Sequence, residues 1–72
     1  MTKYHEKYML PHNTIIHNDL TSDKSLSEIT DEMRNKLQQT IQDNKLFGII
    51  GPHGAQLFDP KQLIIYDIQD VD

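Results

Sequence analysis

Cysteine is absent from this 72-residue sequence, and tryptophan is absent as well. Without cysteine the chain has neither a disulfide nor a thiolate metal site, which agrees with a cytoplasmic protein. A chain this short buries only about 60% of its unfolded surface, so its core is small. Small domains of this kind usually need a source of stability besides their core. Because the composition excludes disulfides and thiolate metal sites, we expect that source to be self-association or a partner protein.

Arginine occurs only once, as Arg34, and the net charge is −4 with the histidines neutral. Nucleic-acid binding relies on lysine and arginine to neutralise phosphates, with arginine favoured for bidentate contacts. The composition of an acidic chain with one arginine does not favour nucleic-acid binding. A weak nucleic-acid-binding or transcriptional regulatory protein, using the N-terminal lysines Lys3 and Lys7, is therefore the second hypothesis.

Long hydrophobic runs are also missing, and no segment has the length and apolar character of a signal peptide or a membrane span. We therefore expect one small domain over residues 1–72 and no membrane contact. Alanine occurs once, whereas isoleucine, aspartate and lysine are frequent. Such usage is common where coding DNA is rich in A and T, which favours a bacterial or phage origin.

The clearest pattern that is present is an amphipathic segment over residues 25–44. Its apolar residues recur at steps of three or four: Leu26, Ile29, Met33, Leu37 and Ile41. This spacing predicts a helix with one apolar stripe. Ser25 and Glu28 fit a capping box at its start, and Asn44 suits a left-handed end. Glu32 and Lys36 are predicted to form an ion pair one turn apart.

The N-terminal third predicts extended structure. Residues 3–10 alternate between two faces, and Tyr4 and Tyr8 share one of them. We expect these tyrosines to pack in the core and not to stack on nucleic acid. Pro11-His12-Asn13 predicts a turn and residues 14–17 a short strand, so the N-terminus is either a hairpin or an extended arm. Residues 18–24 are polar and predict a loop.

The C-terminal part predicts three more strands. Residues 46–50 and 55–58 flank a glycine cluster at 51–54, and Gly48 indicates a bulge or a close approach. A type I turn is predicted over residues 59–62. The strongest strand signal covers residues 63–68, whose start is apolar on both faces. Burial on both faces predicts a central position in the sheet.

These elements predict a small α+β fold, with an antiparallel sheet of three to five strands and one amphipathic helix packed across one face. One helix shields one face, so we expect a second copy or a partner to cover the other. The leading hypothesis is a non-enzymatic protein-interaction or regulatory module that forms a homodimer. Candidate contact residues lie on the last strand and on the acidic helix face: Leu63, Ile65, Glu28, Asp31 and Glu32. Ile15 and Ile16 are further candidates.

A metal-dependent enzyme is the third hypothesis. It requires His12, His17 and His53 to converge, with Asp19 nearby, although their spacing does not demand it. No serine lies in a Gly-x-Ser-x-Gly elbow, and chains this short rarely enclose a substrate cleft. The glycines at 51–54 have GxxG spacing, but their strand-like flanks favour a hairpin over a nucleic-acid-binding loop. The sequence therefore predicts no catalytic residue, no cofactor and no metal.

Overall fold

Five strands and one long helix make up the part of the chain that the computed structural model describes, residues 1–51 and 54–72. The elements follow in the order β1 (Thr2–Leu10), β2 (Thr14–Ser22), α1 (Leu26–Gln42), β3 (Phe47–Gly51), β4 (Gly54–Phe58), a 3-10 helix (Pro60–Gln62) and β5 (Ile65–Asp70). All strand pairs are antiparallel, in a three-stranded sheet of order β2-β1-β5 and a two-stranded β3-β4 hairpin. The predicted α+β fold is confirmed.

The first two strands form a hairpin that is symmetric about His12. Leu10 lies opposite Thr14, and the pairing continues to Thr2 opposite Ser22. His12 and Asn13 take the left-handed φ angles of 63° and 58° that a tight turn between twisted strands favours. The hairpin alternative is thus confirmed. The loop predicted for residues 18–24 is wrong up to Ser22, because cross-strand pairing with β1 outweighs the polar composition of that segment.

The central strand is β1, and the prediction that residues 63–68 lie at the centre is wrong. β1 bonds to β2 on one side and to β5 on the other, which places β5 at an edge. Leu63 precedes β5 and packs against the core, whereas Ile64 and Ile65 are exposed. The apolar start of this segment therefore combines one core contact with two exposed side chains, and does not reflect burial on both faces.

Alternation along β1 decides which face of the three-stranded sheet is buried. Tyr4, Glu6 and Tyr8 point to the buried face, as the sequence predicted for the tyrosines. The main apolar cluster combines this face with the β3-β4 hairpin: Tyr8, Ile16, Phe47, Ile49 and Phe58. Ile16 is therefore a core residue, and its expected role in an interface is wrong. Because the hairpin and α1 both pack here, the opposite sheet face is the outer face.

Helix α1 begins at the capping box that the sequence predicted. The Ser25 hydroxyl accepts from the backbone N–H of Glu28, and the Glu28 carboxylate accepts from the backbone N–H of Ser25. Asn44 follows the helix with a left-handed φ of 57°, as predicted. The middle of the apolar stripe is buried or half-buried: Ile29, Met33 and Leu37. The helix therefore covers the sheet with its central turns.

The β3-β4 hairpin pairs without interruption from Phe47 to Gly51, so the bulge alternative at Gly48 is not observed. A close approach is observed there, since a Cβ atom at Gly48 would lie 3.1 Å from Cδ2 of Leu57. Gly54 has a φ of 96°, which glycine adopts readily. The two residues between Gly51 and Gly54 lie outside the described part, so the conformation of the predicted turn is described only at its flanks.

Candidate functional site

The outer face of the three-stranded sheet presents histidine, lysine and aspartate side chains from neighbouring strands. It is the face opposite α1 and the β3-β4 hairpin, and it presents the residues that alternate with the core side chains. They are Lys3, His5, Lys7 and Met9 of β1, Ile15, His17, Asp19 and Thr21 of β2, and Ile65, Asp67 and Gln69 of β5.

Two histidines and an aspartate form a hydrogen-bonded cluster on this face. The register places His5 directly opposite Asp19, with His17 at the diagonal position. The Nδ1 atom of His5 lies 2.6 Å from an Asp19 carboxylate oxygen, and its Nε2 atom lies 3.1 Å from Nδ1 of His17. A carboxylate accepts hydrogen bonds, so Nδ1 of His5 carries the proton that it donates. When His5 is neutral, its Nε2 keeps a lone pair and accepts a hydrogen bond from the Nδ1–H group of His17.

Sequence reasoning did not include His5 among the candidate site residues. The available signal was the turn, because a hairpin symmetric about His12 pairs every residue with the one equally far on the other side. His5 and Asp19 are both seven positions from His12. Once the turn is accepted, the register predicts their contact.

The structure tests only part of the third hypothesis, which required three histidines to converge. The structure brings His17 and Asp19 together with His5, while His12 lies exposed in the β1-β2 turn. His53 lies outside the described residues. Over residues 1–51 and 54–72, no group of three or more histidine and acidic side chains is arranged to hold a metal ion.

A buried carboxylate on the core face joins all three strands of the sheet. Glu6 is 2% exposed, and its two oxygens accept from different neighbours. The side-chain amide of Asn18 on β2 donates at 2.8 Å, and the hydroxyl of Tyr66 on β5 donates at 2.5 Å. Both oxygens are thus satisfied, which offsets part of the desolvation cost of a buried charge. Beside it, a cleft of about 240 Å³ separates α1 from β1 and β2.

Two phenols share the environment of this carboxylate. Burial raises the pKa of Tyr8 well above its usual value of 10.0, and the negative charge of Glu6 raises it further. Burial also raises the pKa of Tyr66, as does its hydrogen bond to Glu6. Both hydroxyls therefore remain protonated hydrogen-bond donors at neutral pH. Neither phenol is therefore available as a general base at neutral pH.

The acidic residues predicted as a docking surface are partly engaged within the chain. Glu28 belongs to the capping box of α1. An Oε1 atom of Glu32 lies 2.6 Å from Nζ of Lys24, so Glu32 pairs with Lys24 instead of the predicted Lys36. A hydrogen bond from the Lys24 ammonium to Glu32 raises the lysine pKa above its usual value. Glu28, Asp31 and Glu32 are all exposed, so the acidic docking face stays a prediction.

The outward side of the β3-β4 hairpin is apolar, and sequence reasoning did not identify it as a surface. We call it the hairpin face, and its members alternate with the buried residues of both strands: Gly48, Ile50, Ala55 and Leu57. Ile50 is 85% exposed and Leu57 is 66% exposed. Residues 46–58 contain no Asp, Glu, Lys or Arg. The hairpin thus has apolar side chains on both of its faces.

The structure separates the two apolar residues that the sequence placed on one contact surface. Leu63 packs against the core, whereas Ile65 is 51% exposed on the outer face, opposite Met9. Ile15, another predicted contact residue, is exposed on the other side of Met9. These three side chains form an apolar end of the outer face, next to the β1-β2 turn.

Comparison with known proteins adds no family. The chain matches no protein-family model, no curated protein and no solved structure. Among the helices that the structure describes, none combines the length and the apolar character needed to cross a membrane.

Proposed function

We propose that this chain is a small, non-enzymatic protein-interaction module of the cytoplasm that acts as a homodimer, with the hairpin face as the contact between two copies. The observation that carries the proposal is the exposure of Ile50 and Leu57 on a surface that has no charge. The cytoplasmic setting is supported by the lack of cysteine.

The hairpin face has a clear energetic reason to be covered. Burying an exposed isoleucine or leucine side chain fully contributes about 1.5–3 kcal/mol. A two-stranded hairpin is also marginal without packing on its faces, and only its inner face packs on the core. A second copy that covers Ile50 and Leu57 would stabilise both the interface and the hairpin itself.

The absence of charge on the hairpin face permits a second copy as its occupant. The chain carries a net charge of −4, so two copies repel each other across most orientations. The hairpin face lets them meet without opposing like charges, and a two-fold axis would place Ile50 and Leu57 of one copy against the same residues of the other. A strongly basic or acidic partner would gain no electrostatic attraction from this face.

A partner protein is expected at the apolar end of the outer face, where Ile15 and Ile65 are exposed. Nucleic acid is less well supported there. Lys3 and Lys7 project from the outer face, but Asp19 and Asp67 share it. Tyr4 and Tyr8 are buried on the opposite face, so neither offers a ring on which a base could stack.

The test is sedimentation velocity over a micromolar concentration series. The natural chain should form dimers, and Ile50→Asp should be monomeric because it places a charge in the apolar contact. Ile65→Asp is the matched control, since it introduces the same charge at another exposed isoleucine, and it should remain dimeric. Circular dichroism checks that each variant is folded, and Leu57→Lys provides an independent disruption of the same contact.

Two results would contradict the proposal. One is a natural chain that stays monomeric throughout the series. The other is dissociation by Ile65→Asp while Ile50→Asp remains dimeric, which would move the contact to the outer face, where the sequence first suggested it.

A further inference from the structure

We propose that His5 and His17 form a binding site for a divalent transition metal ion of the zinc class, with Asp19 positioning His5. The two imidazoles would be the protein ligands, and water would complete the coordination. This inference does not depend on dimer formation, because the cluster lies on the outer face and the proposed dimer contact lies on the hairpin face.

The distance between the two ring nitrogens fits a shared ion. Nε2 of His5 and Nδ1 of His17 are 3.1 Å apart. Two nitrogens bound about 2.05 Å from one zinc ion in tetrahedral geometry have a separation of about 3.3 Å, so the two rings need to part by only about 0.2 Å to share an ion. The rings already lie near each other, with centroids 5.3 Å apart and planes inclined by 32°. In the structure the two nitrogens point at each other. To bind one ion, each ring would rotate until its nitrogen lone pair points at the ion.

Asp19 prepares His5 for this role. Histidines that bind metals almost always donate their other ring N–H to a carboxylate, a carbonyl or water, which fixes the tautomer and increases ligand basicity. The 2.6 Å contact between Nδ1 of His5 and Asp19 provides this arrangement. It leaves the lone pair of His5 on Nε2, the atom that faces His17. For His17 to bind through Nδ1, its proton moves to Nε2 of the same ring.

The surroundings allow an ion to enter. The His5 side chain is 28% exposed and Asp19 lies largely in solvent, so the cluster is open on one side. Lys7 lies opposite His17, but it also lies opposite Asp67, whose charge offsets that of the lysine. Imidazole ligands favour Zn²⁺, Ni²⁺ and Cu²⁺, whereas Mg²⁺ and Ca²⁺ prefer oxygen ligands. The site should therefore discriminate between these two groups of ions.

Calorimetric titration of the full chain with Zn²⁺ tests the proposal, with Mg²⁺ as the negative probe. Zn²⁺ should bind one ion per chain, and His5→Ala and His17→Ala should each weaken binding at least tenfold. Asp19→Asn should weaken it about tenfold, because it removes the positioning carboxylate but keeps both ligands. His12→Ala is the matched control, since it removes an exposed histidine outside the cluster, and it should bind as the natural chain does.

NMR of the imidazole nitrogens distinguishes direct metal binding by the two histidines from an indirect effect of their substitution on the fold. Added Zn²⁺ should shift Nε2 of His5 and Nδ1 of His17 selectively. His5→Gln keeps a hydrogen-bond donor near Asp19 without an imidazole, so it should fold normally and still lose binding. The proposal is overturned if Zn²⁺ does not bind, if His12→Ala weakens binding as much as His5→Ala, or if the shifted nitrogens belong to other histidines.

Discussion

The hydroxyl of Tyr66 donates a hydrogen bond to the buried carboxylate of Glu6 across 60 positions of sequence. Asn18 donates to the other carboxylate oxygen, so one side chain of the central strand is tied to both neighbouring strands. Side chains alternate between the two faces of a strand, so a slip of one residue would replace Glu6 in the core by His5 or Lys7. This polar contact therefore helps to specify the register of the whole sheet.

Tyr66→Phe should lower the free energy of unfolding by about 2 kcal/mol, because it removes a hydrogen bond to a charged acceptor. Urea denaturation measures this loss. Tyr4→Phe is the matched control, since its hydroxyl donates to a neutral acceptor, the carbonyl oxygen of Lys24. It should cost about 1 kcal/mol. Equal losses for the two variants would show that the charge of Glu6 adds nothing.

Stability should fall as the pH rises above 10. In the unfolded chain Tyr8 ionises near its usual pKa of 10.0, whereas burial and the nearby Glu6 keep it protonated in the fold. The folded state then binds more protons, so this contribution is complete below pH 10 and decreases by up to about 1.4 kcal/mol per pH unit above it. Urea denaturation at a series of alkaline pH values measures the slope.

Tyr8→Phe supplies the comparison for the alkaline series. Lysines also lose protons in this range, so the informative quantity is the difference in slope between the natural chain and the variant. The variant should show a flatter decrease, because phenylalanine has no proton to lose. Parallel curves would mean that Tyr8 does not ionise on unfolding.

Gly51→Ala should destabilise the fold by about 1–2 kcal/mol through its effect on a hydrogen bond. A Cβ atom at Gly51 would lie 2.5 Å from Oδ1 of Asn18, the side chain that donates to Glu6. Asn18 would have to rotate away and release the carboxylate. Thermal and urea denaturation measure the loss.

A double-mutant cycle separates this mechanism from a general intolerance of alanine. In an Asn18→Ala background the same Gly51→Ala change should cost much less, because the clash and the hydrogen bond are both gone. Gly48→Ala is a second control, since its Cβ would meet only the end of the Leu57 side chain at 3.1 Å. Equal costs at Gly51 in both backgrounds would contradict the proposed link to Glu6.

Ser25→Ala should cost about 1 kcal/mol of stability, because it removes the hydroxyl that caps the first turn of α1. Ser27→Ala makes the same substitution at the second helical residue, whose hydroxyl lies 3.2 Å from that of Ser25 without capping a backbone N–H, and it should cost clearly less because alanine is the better helix former. Thermal denaturation compares the two. A larger loss at Ser27 would show that the capping box does not control the start of the helix.

Local patterns predicted the individual elements well. The capping residues Ser25 and Glu28 located the start of α1, and the alternation around Tyr4 and Tyr8 located β1 and its buried face. These features depend on neighbours a few residues apart. The order of the strands depends on pairing between distant segments, and an apolar run such as residues 63–68 does not reveal whether its side chains meet a core or solvent.

The candidate sites were harder to predict because each depends on tertiary placement. Predicting the contact of His5 with Asp19 requires the register of the β1-β2 hairpin. The sequence did not decide between that hairpin and an extended arm. Predicting the hairpin face requires knowing which side of β3 and β4 packs against the core. Ile49 and Ile50 are adjacent isoleucines, yet one is buried and the other is exposed.

The central position of β1 also has a consequence for protein synthesis. The ribosome makes β1 well before β5, although the two strands are hydrogen-bonded neighbours. During translation the nascent chain therefore presents one unpaired edge of β1 until β5 emerges, and pairings between such distant segments form slowly. The sheet is completed only after elongation has passed β5, and until then the carboxylate of Glu6 lacks its tyrosine donor.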